Sequence, residues 1–156
     1  MDFPMRKSPR IVGYDYSQAN YYFITICTYS KKCIFGEPEK LNWLGQIAQE
    51  KLIQISKINP SIQINHYVVM PNHIHVILDV SESNRQNLNI VIGQYKMSVT
   101  KQIRKKIPGF RVWQRSYHDH IIRNRSGYEK IWTYIENNPH KWEEDCFYQK
   151  TEVNEK

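Results

Sequence analysis

Two hydrophobic rhythms run along the chain. "YYFITICTYS" (21–30) is β-branched and aromatic, and "IQINHYVVM" (62–70) and "HIHVILDV" (73–80) are apolar runs parted only by Pro71-Asn72. Each predicts a strand, the last two joined by a tight turn. "LNWLGQIAQEKLIQISKI" carries Leu44, Ile47, Ala48, Leu52 and Ile55 near helical spacing, which predicts a helix over 42–58 stopped by Asn59-Pro60. "NIVIGQYKMSVTKQIRKK" predicts a second amphipathic helix ending before Pro108-Gly109, and "FRVWQRS" (110–116) a fourth strand. "RSGYEKIWTYIENNPHKW" predicts a third helix, with Ser126 as its N-cap and Asn138-Pro139 as its end. "KKCIFGEPEK" and "SESNRQNL" read as loops.

The order β-α-β-β-α-β, with a helix appended, predicts an α+β fold of the ferredoxin-like (split βαβ) kind. One antiparallel sheet carries helices on one face, and a C-terminal helix is added. A length of 156 residues suits one domain with its own core. We expect that domain over 21–145, after an irregular basic arm (1–20) and before a tail (146–156). No apolar run approaches a membrane span, and "MDFPMRKSPR" lacks an apolar signal core, so a soluble intracellular protein is expected. Cys27, Cys33 and Cys146 are odd in number and lack CxxC spacing, which supports neither a disulfide framework nor a zinc knuckle.

Alternate strand residues share a face. In "NHIHVIL", Ile74, Val76 and Leu78 belong to the core, and His73, His75 and Ile77 point the other way. That phase sets two imidazoles side by side, near enough for one divalent ion to take a nitrogen from each. Two ligands are too few for a tight site, so a third has to come from elsewhere. On the third helix Tyr128, Ile131 and Ile135 form the apolar stripe, and Tyr134 and Asn138, four apart, share the flank beside it. Asn138 offers a hard oxygen, which suits Mg²⁺ or Mn²⁺. On spacing alone other readings stay open: hydrogen-bonded strand histidines, a helix-flank aromatic at Tyr134 and a C-terminal cap at Asn138.

The formal charge of +7 (22 Lys+Arg against 15 Asp+Glu) suits a polyanionic partner. Arg6, Lys7 and Arg10 lie on the arm, and Lys101, Arg104, Lys105, Lys106, Arg111 and Arg115 cluster around the end of the second helix and the fourth strand. As a group they fit phosphate contacts. Trp113 and Tyr117 are candidates either for stacking a base or for the core.

The residues also resemble a family. "VVMPNHIHVIL" looks like the HUH motif (His, hydrophobic, His) of single-tyrosine transposases, and "VWQRSYHDHIIRN" followed by "YIENNPHKW" resembles the REP-associated tyrosine transposases. "RIVGYDYSQANYYFITICTYSKKCIFG" is similar to the opening of such proteins, so the likeness spans residues 9–145. It implies a ferredoxin-like fold, His73 and His75 as metal ligands, Tyr134 as nucleophile and Asn138 as the polar ligand where insertion-sequence relatives carry Gln. It further implies Mg²⁺ or Mn²⁺ as cofactor, single-stranded or hairpin DNA as partner, and a cytoplasmic, nucleoid-associated setting. Tyr117, beside His118, Asp119 and His120, is a rival nucleophile. With Tyr134 preferred, Tyr117 and His120 are expected to support the active site or the DNA strand.

The expected reaction is transesterification through a 5′-phosphotyrosine. With one nucleophilic tyrosine per chain, strand exchange takes either two subunits, as in a homodimer, or two successive reactions. Two alternatives lack a covalent link: a non-catalytic ferredoxin-like nucleic-acid-binding module, and a metal-dependent nuclease that hydrolyses.

Overall fold

In chain order the elements are β1 (Asn20–Cys27), β2 (Gly36–Glu37), β3 (Lys40–Leu41), α1 (Trp43–Ile58), β4 (Ile62–Met70), β5 (His73–Val80), α2 (Leu88–Arg104), β6 (His118–Ile122) and α3 (Arg125–Asn137). Short 3₁₀ turns follow β1 (Tyr29–Lys31) and α3 (Pro139–Glu144). The computed structural model describes residues 20–81, 87–145 and 147–148. Arg6, Lys7, Arg10 and Cys146, with nearly all of the expected arm and tail, lie outside them.

β4, β5, β1 and β6 form one antiparallel sheet in that order, so β5 is an interior strand. This is the arrangement expected of a split βαβ unit. Leu44, Ala48, Leu52 and Ile55 of α1, with Val91, Ile92, Tyr95 and Val99 of α2, pack on the face carrying Tyr22, Ile24, Ile26, Ile74, Val76 and Leu78. α3 lies on the opposite face, where Ile131 and Ile135 meet Phe23, Ile77 and Ile122. The sheet is therefore covered on both sides. The pair of helices makes the larger core.

Each long helix begins at an asparagine. The side chains of Asn42, Asn87 and Asn124 accept from the backbone N–H of Gly45, Asn89 and Gly127, so each satisfies a donor that the first turn leaves open. The cap of α3 is thus Asn124 rather than the expected Ser126. Asn138 ends that helix, its backbone N–H reaching the Ile135 carbonyl.

The fourth strand also differs from expectation: it is His118–Ile122, not 110–116. Val112 is buried and Trp113 packs against Phe35 and Tyr95, so the aromatic and β-branched residues there reflect packing rather than pairing. That segment makes one isolated bridge, Thr28–Trp113, just past the end of β1, and no ladder. Residues 21–25 of β1 pair instead with the more polar "HDHII", an edge strand whose apolar pattern is correspondingly weak. β1 itself stops at Cys27, short of the expected residue 30, because the chain turns through Ser30 and Lys31 at positive φ.

Candidate active site and metal centre

β5 presents His73 and His75 on the face shared with α3. Their cross-strand neighbours are Met70 and Val68 on β4 and Cys27 and Thr25 on β1. Each ring is held by its Nδ1. That of His73 lies 2.8 Å from Asn72 Oδ1, and that of His75 lies 2.8 Å from Thr25 Oγ1. Asn72 is itself pinned, its amide nitrogen donating to the carbonyls of Lys31 (3.0 Å) and Phe147 (2.6 Å). Its Oδ1 can then only accept, so the Nδ1 of His73 carries the proton and the Nε2 keeps a lone pair.

The Nε2 atoms of both histidines and the Oδ1 of Asn138 are buried without a hydrogen-bond partner. Burial, above all, holds His73 well below the ordinary histidine range; the adjacent His75 pushes the same way, and the neighbouring Asn138 side chain opposes them. Burial also lowers His75 to about 3. Both rings are therefore neutral near pH 7, the form that binds a metal.

Tyr134, half-buried, sets its ring 5.3 Å from that of His75 and 6.3 Å from that of Phe23, and Phe23 stacks on His75 at 5.1 Å. Asn138, one turn on, donates from its amide nitrogen to Asp145 Oδ2 at 3.0 Å. A carboxylate oxygen only accepts, so this bond fixes the amide's orientation and leaves Oδ1 as the free acceptor. The structure thus brings His73, His75, Tyr134 and Asn138 together.

It adds Asp145, whose Oδ2 stands 3.7 Å from His73 Nε2. That is too long for a hydrogen bond, and with the imidazole neutral it is no ion pair. One ligand atom from each of His73, His75 and Asp145 falls within 4.8 Å of the others. Imidazole nitrogens and amide and carboxylate oxygens are donors for a divalent ion, and orphaned buried acceptors are what such an ion would satisfy. The residues fit the metal. The Phe147 ring packs beside them, 4.5 Å from that of His73 and 6.1 Å from that of His75.

Tyr117 is not part of this cluster. It is buried in the α1/α2 layer with its hydroxyl on Asn89 Oδ1, on the other side of the sheet. His120 is exposed on β6 opposite Phe23, on the α3 face but beyond β1. Lys101, Arg104, Lys105, Lys106, Arg111 and Arg115 are all exposed. Residues 111–115 run past the end of β1: Tyr29 N–H donates to the Val112 carbonyl and Gln114 N–H to that of Cys27, the neighbour of His73. The guanidinium of Arg111 lies 5.2 Å over the Tyr29 ring, so its charge stands at the same end of the sheet as the histidines.

Thr25, Asn72 and Asp145 escape the sequence reading. Asn72 had a signal, as the residue bonded directly to the first histidine; Thr25 and Asp145 had none that spacing reveals.

A family model described as "Transposase IS200 like" matches residues 15–138. The chain belongs to the IS200-like transposase family. An uncharacterized protein of Haemophilus influenzae (strain Rd) is 34% identical to this transposase over 167 residues, 92% of this chain and 93% of that one. Among solved structures, a REP-associated tyrosine transposase bound to a REP hairpin shares its fold, with a TM-score of 0.62 and 22% identity over 88% of this chain and 74% of that one. A protein of Deinococcus radiodurans R1 assigned as a transposase does too, with a TM-score of 0.55 and 18% identity over 82% and 95%. These two likenesses are of fold. Among the described residues of the transposase, no helix is long and apolar enough to cross a membrane.

Proposed function

We propose that this transposase cleaves and rejoins single-stranded DNA through a 5′-phosphotyrosine at Tyr134, next to a divalent metal held by His73, His75 and Asn138. One observation carries the reading: His73 Nε2, His75 Nε2 and Asn138 Oδ1, from the sheet and from the end of α3, are buried without a direct hydrogen bond, and the ring of Tyr134 packs on that of His75. A structural cluster would have satisfied those atoms internally.

Tyr134 attacks the phosphorus in line, its phenolic oxygen forming the new P–O bond as the bond to the 3′ oxygen breaks. The phenol proton passes to solvent and the departing 3′ oxygen takes one up. The phosphoester is conserved, so a 3′-OH can later reverse the step without an added energy source. Asn72 and Thr25 hold the imidazoles so that each Nε2 faces the reacting phosphate. Packing on His75 and Phe23 limits the swing of the Tyr134 ring, which favours a near-attack geometry. The bound ion, Mg²⁺ or Mn²⁺, supplies charge neutralisation for the scissile phosphate.

The exposed cations from Lys101 to Arg115 bind the strand's phosphates, and hairpin-bearing DNA is the proposed substrate. The hairpin rests on the sequence resemblance and on the fold shared with a transposase solved on a REP hairpin.

Incubation with hairpin-bearing single-stranded DNA and Mn²⁺ is expected to yield an adduct that survives denaturation and maps to the Tyr134 peptide. Tyr134→Phe is expected to lose cleavage by at least about a thousandfold while DNA affinity changes less than twofold, since only a hydroxyl is removed. Full cleavage by that variant, or an adduct mapping elsewhere, refutes the assignment. Cleavage without an adduct points to hydrolysis.

A further inference from the structure

We propose that Asp145 is a fourth ligand, completing a His73–His75–Asn138–Asp145 donor set that selects a hard divalent ion. This rests on the metal-assisted reading above, and it concerns a residue that no sequence motif singles out.

The first ground is distance. Asp145 Oδ2 and His73 Nε2 are 3.7 Å apart, too far to bond each other. Adjacent donors on one small divalent ion at about 2.1 Å stand about 3.0 Å apart, so Oδ2 and Nε2 have to close by about 0.7 Å, a side-chain adjustment, to share it.

The second ground is charge. The Asp145 side chain is 1% exposed; the Asn138 amide donates to its Oδ2 and the Phe147 N–H to its Oδ1. The Lys31 ammonium lies 5.3 Å over the Phe147 ring. Burying a carboxylate is unfavourable, and a cation shared with the imidazoles would help to offset that cost.

The third ground is placement. Asn138 begins the 3₁₀ turn Pro139–Glu144, buried Trp142 anchors the turn, and Asp145 caps it. One short segment therefore delivers both oxygen donors to the two imidazoles. Oδ2 can keep its bond from Asn138 and still offer a lone pair.

Two imidazoles alone favour soft or borderline ions, and adding an amide oxygen and a carboxylate moves the preference toward Mg²⁺ and Mn²⁺.

Titration calorimetry with Mn²⁺ on the full chain tests this. The wild type is expected to bind one ion, and Asp145→Asn at least about tenfold more weakly. Crystals of the wild type grown with Mg²⁺ are expected to place an Asp145 oxygen about 2.1 Å from the ion, a readout that needs no variant. Equal Mn²⁺ affinity in Asp145→Asn, or an Asp145 oxygen remaining beyond about 3 Å, overturns the fourth ligand. His75→Ala separates the two levels. If it loses Mn²⁺ while Asp145→Asn does not, only this inference falls; if it binds as tightly as the wild type, the metal centre falls with it.

Discussion

Asn72 decides which nitrogen of His73 faces the gap beside Asn138, and Thr25 plays the corresponding part for His75. Neither side chain would bind the metal or DNA; both act by holding a ring. The same burial that orients the rings keeps them neutral, and this has a consequence for stability. Unfolded, each histidine titrates near 6.5, whereas folded both lie lower, His75 at about 3. Below pH 6.5 the unfolded chain binds more protons than the folded one, so stability is full above that pH and declines as pH falls. The slope is about 1.4 kcal/mol per pH unit for each histidine. Thermal melts in chelator are expected to be flat from pH 8 to 7 and to drop from pH 6 to 4. His75→Gln is expected to show a shallower drop, and an unchanged profile would count against a neutral, buried His75. At this scale His73, His75, Tyr134 and Asn138 were legible because strand and helix periods place side chains on faces. Asp145 was not, since a 3₁₀ turn of six residues carries no such period.

β4 shows how an element sets the site by its register. Its core residues are Ile62 and Ile64 on even numbers, then Tyr67 and Val69 on odd ones, so the alternation slips by one. The slip is a bulge: Ile64 pairs with Leu78 and His66 with Ile77, leaving Asn65 over. Val68 and Met70 thereby stay on the α3 face, beside His75 and His73. Deleting Asn65 is expected to be tolerated, at a cost of about 1–2 kcal/mol, because pairing on both sides keeps its faces. The bond from Asn65 to the Tyr128 hydroxyl goes with it. Deleting Val68 is expected to abolish cooperative unfolding, since it turns one set of core residues outward. Denaturant melts of the two deletions check this, and similar losses would contradict the register. The misplaced fourth strand has the same lesson from the other side. Apolar residues at 110–116 pack well, but hydrogen-bond partners decide what is a strand, and β1 gives its edge to His118–Ile122.

Across the whole molecule, the strand order sets α1 and α2 on one face and α3 on the other, and the exposed cations stand on the last turn of α2, just past it, and around the end of β1. That surface is the one proposed to carry the strand's phosphates. DNA affinity measured by anisotropy is expected to fall linearly with the logarithm of salt. Lys101→Gln with Lys105→Gln is expected to flatten that slope by about 1.4, or roughly 0.7 for each single-strand phosphate no longer neutralised. An unchanged slope would remove this surface from the DNA path. By itself the sequence determined the order of the four sheet strands and three helices, though not the short β2–β3 pair, together with the α+β class, the face that carries the histidines and the helix that carries Tyr134. These are local matters, set by repeating side-chain directions within a strand or a helix. Only the tertiary structure decided that Tyr117 is core, that β6 begins at His118, and that Thr25, Asn72 and Asp145 gather around the imidazoles. Those facts depend on pairings between residues up to 75 positions apart, as from Asn72 to Phe147, which no local period encodes.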